Sequence, residues 1–124
     1  MPRVLIADDE EAMRTLVARA IAMDGHVTVT AEDGAEALEI LTREDGAFDL
    51  LLTDIKMPVM DGIALALTVA RDFPDLTILL MTGFADQRER AHGLNAIVHD
   101  VVTKPFSVAD IRTAVANALA AKKG

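Results

Sequence analysis

Residues 50–62 read LLLTDIKMPVMDG and carry the clearest strand-to-helix signal in the chain. Three successive leucines and a threonine predict a strand over 50–53 that is covered on both faces, as strands of parallel sheets are. Asp54 follows at the carboxyl end of this strand. Pro58 marks a turn, and the apolar content of 62–70 predicts a helix. The segment therefore predicts one strand–turn–helix unit of an α/β fold, with an aspartate at the strand end.

The remaining strands have the same character with one exception. Val27 and Val29 alternate with polar residues, which indicates an edge strand. Strands that alternate with helices predict a three-layer, doubly wound parallel sheet with helices on both faces. The predicted strands are 4–7, 26–31, 50–53, 77–81 and, with the weakest pattern, 100–103.

The segments between the strands have apolar residues at helical spacing. Gly25 ends the first helix, Asp33 caps the second, and Pro74 closes off the third. Ser107 with Asp110 forms a near capping box for the last helix. The predicted helices are 11–23, 33–41, 62–70, 85–93 and one that follows Ser107. The segment 85–93 has almost no apolar stripe. Their predicted buried residues are Ala12, Leu16, Val17, Ala20 and Ile21; Ala37, Leu38 and Leu41; Ile63, Ala66, Leu67 and Ala70; and Ile111, Val115, Ala118 and Leu119.

Length and composition predict one domain that binds neither nucleic acid nor membrane. The chain has 124 residues and 52% apolar residues, enough for one core of the usual ~100–150 residues. We expect an ordered core over about 3–120 and a frayed tail over 121–124. The net charge of −8 repels phosphate backbones and anionic lipids. Cysteine is absent from the sequence, which excludes thiolate chemistry. We expect a cytoplasmic monomer.

Polar side chains follow several predicted strands. Asp8 and Asp9 follow the first, Asp54 the third, Thr82 the fourth and Lys104 the fifth. Ligands of open α/β sheets bind at these carboxyl ends. Three carboxylates, one lysine and a divalent cation sum to zero charge, and Mg²⁺ prefers carboxylate oxygens. An aspartate near such a metal can attack phosphorus as a nucleophile, and Asp54 is the best placed.

Each of these residues also has a purely structural interpretation. Asp8 and Asp9 suit the N-cap of the next helix, Asp54 suits a turn, and Thr82 suits a strand terminus. Lys104, before a proline, is ordinary as a solvated lysine. Their joint placement at the strand ends favours the functional interpretation.

The motifs VLIADDE at 4–10, LLLTDIKMPVMDG at 50–62, LLMTG at 79–83 and TKPF at 103–106 together resemble the receiver domains of two-component response regulators. The resemblance covers essentially the whole chain. It implies a flavodoxin/CheY-like fold with strand order 2-1-3-4-5. It also implies a signalling switch, not an enzyme, that catalyses only its own phosphoryl uptake and loss.

By the same resemblance, Mg²⁺ is the cofactor. Asp9 and Asp54 are its side-chain ligands, Asp8 holds a metal-bound water, and the backbone carbonyl of Lys56 is the third protein ligand.

The resemblance further implies that Asp54 accepts a phosphoryl group from a histidine kinase or a histidine phosphotransferase. Lys104 neutralises phosphoryl oxygens, and the Thr82 hydroxyl moves to bond one of them. The output face comprises the fourth helix, the fifth strand and the fifth helix. The aromatic switch residue of the family is replaced by Val101, and Phe84 is a candidate substitute.

Residues 81–106 are similar to those of stand-alone CpdR-type receivers. This resemblance implies an output by protein contact, with the ClpX unfoldase of the ClpXP protease as a candidate partner. Two alternatives remain. One is a small Mg²⁺-dependent phosphohydrolase with Asp54 as nucleophile, disfavoured because Lys56 interrupts the D-x-D motif of one large class. The other is a phosphate-independent scaffold.

Overall fold

A computed structural model describes residues 1–83, 91 and 93–122 of the chain. These residues contain a five-stranded, fully parallel sheet of order β2-β1-β3-β4-β5. The strands are β1 (Arg3–Ala7), β2 (Val27–Ala31), β3 (Leu50–Asp54), β4 (Thr77–Thr82) and β5 (Asp100–Thr103). The expected strand order and the edge position of β2 are confirmed.

The helices of the described residues are α1 (Glu11–Ala22), α2 (Gly34–Arg43), α3 (Gly62–Asp72) and α4 (Val108–Lys122). Asp33 caps α2 by accepting a bond from the Glu36 N–H. Ser107 and Asp110 bond each other's backbone N–H groups at the start of α4, so this capping box is confirmed. The predicted helix at 85–93 lies almost wholly outside the described residues, as does Phe84.

Helices cover the sheet on both faces, so each strand contributes to two apolar clusters. Leu5, Leu51 and Leu80 pack with α2 and α3 on one face. Leu52 and Leu79 pack with α1 and α4 on the other. This two-sided burial explains the continuous apolar runs of β1, β3 and β4.

Two predicted helix faces were partly wrong. Leu67 of α3 is 52% exposed, whereas Leu65 and Val69 are buried. The segment is apolar on almost every side, so its pattern could not fix the rotation of the helix. Gly62 fixes it, because this residue lies against the backbone of Asp54 and Ile55 at the start of α3. In α1, Ala12 and Leu16 are exposed, and the partly buried Met13 packs with Val17 instead.

Within residues 1–83, 91 and 93–122, no helix has the length and apolar content needed to cross a membrane.

Candidate functional site

Three aspartates converge at the carboxyl edge of the sheet. Asp8 and Asp9 follow β1, and Asp54 is the last residue of β3. Each carboxylate contributes an oxygen to a group whose members lie within 4.8 Å of one another. Asp8 and Asp54 are buried, while Asp9 is exposed. Such a group of oxygens, open on one side, suits a hard divalent cation.

Lys104 supplies a cation to this cluster from the loop after β5. Its ammonium nitrogen Nζ lies 3.1 Å from Oδ2 of Asp8 and 3.3 Å from Oδ1 of Asp54. Its backbone N–H donates to the carbonyl of Thr82, with a nitrogen–oxygen distance of 2.7 Å. The Lys104–Pro105 peptide bond is cis. The lysine side chain is only 16% exposed, which contradicts its interpretation as a solvated residue.

Burial raises the pKa of Asp54 to about 6. The neighbouring Asp8 carboxylate adds to this rise, because it disfavours a second negative charge. Lys104 and the Ile55 N–H oppose the rise but do not cancel it. For Lys104, burial disfavours the charged form, but the Asp54 and Asp8 carboxylates outweigh it and raise the pKa of the ammonium. The site therefore has an excess of negative charge that a metal cation would relieve.

The loop between β3 and α3 is held tightly against the site. The Gly62 N–H donates to the carbonyl of Ile55, and a side chain at Gly62 would collide with the Asp54 backbone. Val59 has a φ of +68° and is 84% exposed. Lys56 lies in the same loop with an exposed side chain. The loop thus fixes the main chain immediately after Asp54.

Arg14 of α1 was not singled out by the sequence analysis, yet it contacts the loop that carries Asp8 and Asp9. Its Nη1 donates to the carbonyl oxygen of Asp8 at 2.8 Å. The N-cap residue of α1 is Glu10, so the interpretation of Asp8 and Asp9 as N-caps of this helix is wrong. An arginine one turn into a helix has no distinctive sequence pattern, which is why it was missed.

Of the three expected switch residues, Thr82 lies in β4 and Val101 lies in β5. Thr82 is fully buried at the end of β4. Val101 is partly buried in β5, packs against the cluster of apolar residues on the α2–α3 face, and pairs with Leu80. Phe84 falls outside the described residues. The structure therefore brings together Asp8, Asp9, Asp54 and Lys104, with Thr82 next to Lys104 through the backbone.

The fold and this acidic edge define the class of the protein. Residues 4–116 match the response regulator receiver domain model. The chain belongs to the response regulator receiver domain family. Receiver domains are signalling switches that take phosphate from histidine kinases and pass the signal to output partners. They typically bind Mg²⁺ at an acidic pocket, and Asp8, Asp9 and Asp54 form an acidic cluster here.

Among curated relatives, the response regulator receiver protein CpdR of Brucella abortus is 39% identical over 111 residues, which cover 90% of this chain and 91% of CpdR. The probable transcriptional regulator ycf27 of Guillardia theta is 34% identical over 91% of this chain. The chain spans 43% of ycf27, so some relatives are more than twice as long. Among solved structures, the response regulator TrrA of Thermotoga maritima, in complex with Mg(2+)-BeF, is 29% identical with a TM-score of 0.83. That match covers 94% of this chain and 98% of TrrA.

Proposed function

We propose that this receiver is a phosphorylation switch whose phosphoryl acceptor is Asp54. The observation that supports it is the convergence of three carboxylates and one lysine at the carboxyl edge of the sheet. Asp54 is the member of this group that ends the central strand β3. Its raised pKa reflects a carboxylate kept from bulk water and next to another negative charge.

Mg²⁺ is the proposed cofactor, held by Asp9, Asp54 and the backbone carbonyl of Lys56, with Asp8 acting through a water. The donor set fits, because Mg²⁺ is bound by one or two carboxylates and retains waters. When bound, Mg²⁺ would neutralise charge on the carboxylates and on incoming phosphoryl oxygens. The relative TrrA was solved with Mg(2+)-BeF, which supports the same requirement here.

In the proposed reaction, a carboxylate oxygen of Asp54 forms a bond to the phosphorus of a phosphohistidine. The bond between phosphorus and the imidazole nitrogen breaks, and the imidazole of the donor takes up a proton from solvent. The Lys104 ammonium, already 3.3 Å from Asp54, would pair with the phosphoryl oxygens. The phosphodonor is a histidine kinase or a histidine phosphotransferase.

The proposed output is a change of protein binding at the face made by the segment after β4, by β5 and by α4. The added phosphoryl group would draw Thr82 and Lys104 together and shift β5, to which both are joined. Val101 has no aromatic ring to swing, so backbone movement carries the change, with Phe84 as a candidate participant. We propose that the protein is a cytoplasmic monomer whose output partner is the ClpX unfoldase, and the similarity to CpdR supports the choice of partner.

The first test is the intact mass of the protein after incubation with acetyl phosphate, with and without Mg²⁺. We expect a gain of one phosphoryl group only with Mg²⁺ and its loss in Asp54→Asn. Asp75→Asn is the matched control, because it removes an exposed aspartate just before β4, at the other end of the sheet.

Three outcomes contradict the proposal. Labelling that persists in Asp54→Asn would move the acceptor elsewhere. Repeated turnover of a phosphomonoester would favour the phosphohydrolase. Absence of both labelling and beryllofluoride binding would favour the phosphate-independent scaffold.

A further inference from the structure

We propose that Arg14 is a positioning residue for the Mg²⁺ site. Its guanidinium holds the loop of residues 8–10 so that the Asp8 and Asp9 carboxylates face Asp54. The inference rests on the proposed function, because it assigns Arg14 a role in binding that metal. Arg14 touches neither the phosphoryl group nor the metal in this scheme and acts through the main chain of Asp8.

The loop needs such a restraint because the start of α1 provides little of its own. Among the described residues, no side chain caps the N-terminus of this helix. Instead, Oδ1 of Asp8 accepts a bond from the Glu10 N–H at 3.0 Å, and the Asp8 carbonyl accepts one from Arg14. The first bond lies within the loop of residues 8–10, whereas the bond from Arg14 joins this loop to α1 through the main chain of Asp8.

The hydrogen bonds from the Glu10 N–H and from Arg14 use different acceptor atoms of Asp8. The carboxylate of Asp8 is shared between the Glu10 N–H on Oδ1 and the Lys104 ammonium on Oδ2. A metal-bound water would donate to one of these same carboxylate oxygens. The bond from Arg14 uses the carbonyl oxygen. It can therefore fix the loop while the carboxylate exchanges partners.

The ion pair between Arg14 and Glu32 is a weaker contact. The two side chains are 3.7 Å apart, and that of Glu32 is 71% exposed, against 14% for Arg14. Exposed ion pairs contribute little to stability. The partly buried hydrogen bond to the Asp8 carbonyl is therefore the contact on which the role of Arg14 depends, and Glu32 offers a matched control.

A role of Arg14 through its charge and a role through its position predict opposite changes in Mg²⁺ affinity when Arg14 is replaced. Deleting a positive charge near an acidic site strengthens the attraction of a cation. Loss of a positioning bond weakens metal binding, typically by tenfold or more for groups behind the metal ligands. The direction of the change in Mg²⁺ affinity thus separates the two roles.

The experiment is a calorimetric Mg²⁺ titration of wild type, Arg14→Met, Arg14→Lys, Glu32→Gln and Arg19→Met. Arg19 is an exposed arginine of the same helix and controls for charge. We expect the Kd of Arg14→Met to rise roughly tenfold. Arg14→Lys keeps the charge but not the guanidinium geometry, so we expect its Kd to rise by about threefold. Both controls should stay within about twofold of wild type, with Glu32→Gln, which loses a negative charge, at the weaker side and Arg19→Met, which loses a positive charge, at the tighter side.

A Kd at or below the wild-type value in a folded Arg14→Met or Arg14→Lys protein overturns the proposal. If Arg14→Met does not fold, Arg14→Lys decides alone. A Kd that rises as much in Glu32→Gln as in Arg14→Met also overturns it, because the ion pair would then be the restraint. If the wild type itself binds no Mg²⁺, the proposed metal site fails and the role of Arg14 fails with it. Wild-type binding with unaffected Arg14 variants overturns only the role of Arg14.

Discussion

The Lys104 ammonium lies 3.3 Å from Oδ1 of Asp54, although the two residues come from strand ends fifty positions apart in the chain. The same nitrogen contacts Asp8. One lysine thus contacts two buried carboxylates, and the third aspartate is exposed. This arrangement has less positive than negative charge, so its stability and its chemistry should both depend on which cations are present.

Lys104→Met should lower the free energy of unfolding by about 1–3 kcal/mol without Mg²⁺, because it leaves two buried carboxylates without their cation. Added Mg²⁺ should recover part of this loss. Labelling by acetyl phosphate should fall by more than about tenfold. Urea unfolding and intact mass measure the two effects. Lys104→Arg keeps the charge and should retain more stability than Lys104→Met; equal losses in both would mean that charge is not the cause.

The raised pKa of Asp54 predicts how stability depends on pH in metal-free buffer. Between its ordinary value of 3.8 and about 6, the folded protein holds a proton on Asp54 that the unfolded chain has lost. The contribution of Asp54 to stability therefore falls as the pH rises through this window. Two units of pKa correspond to at most about 3 kcal/mol.

Asp54→Asn removes this titration. The difference in the free energy of unfolding between variant and wild type should be small near pH 4. It should grow in favour of the variant up to about pH 7. Thermal unfolding in a chelator at several pH values measures it, with Asp75→Asn as the charge-matched control. A difference that stays constant across the window would contradict the raised pKa.

Thr82→Ala should separate binding at the site from the response of β5. With Mg²⁺ and beryllofluoride, the amide resonances near Asp54 should shift in both wild type and variant. Those of Val101 and its neighbours should shift less in Thr82→Ala, because the hydroxyl that is drawn toward the phosphoryl group is gone. Thr82→Ser, which keeps the hydroxyl, should restore the response. Undiminished shifts in β5 of the alanine variant would refute the coupling role.

The parallel sheet and the members of the acidic site could be predicted from the strand pattern, whereas the strand order came from the resemblance to receiver domains. Continuous apolar runs identify β1, β3 and β4, and parallel strands end at one edge, so Asp8 and Asp54 had to approach each other. The rotation of α3 could not be predicted, since almost every side of it is apolar. The contact of Arg14 with the Asp8 carbonyl could not be predicted either, because it depends on proximity in three dimensions and not on a sequence spacing.

Gly62→Ala should destabilise the protein by about 1–3 kcal/mol or more, because the added methyl group collides with main-chain atoms of Asp54 and Ile55. Main-chain atoms cannot rotate away as a flexible side chain can. Gly83→Ala is the matched control, since its Cβ would lie 3.7 Å from Cβ of Lys104, an ordinary contact distance. Chemical denaturation of both variants tests this. Equal stabilities would show that the loop after Asp54 can move aside.

Val59 offers a change in the opposite direction. It is a β-branched residue with φ +68° and an almost fully exposed side chain. The left-handed conformation costs such a residue about 1–2 kcal/mol, and little packing offsets that cost. Val59→Asn should therefore raise the free energy of unfolding by about 1 kcal/mol, because asparagine tolerates this conformation. Val59→Gly should gain somewhat less, since glycine loses more entropy on folding.

The control is Val27→Asn in the edge strand β2, where the valine is also partly exposed but has no positive φ. Asparagine is unfavourable in strands, so this variant should be less stable than wild type. Urea unfolding of the three variants gives the comparison. A loss of stability in Val59→Asn as large as that in Val27→Asn would contradict the prediction. It would show that backbone strain at position 59 is small and that the Val59 side chain makes stabilising contacts despite its exposure.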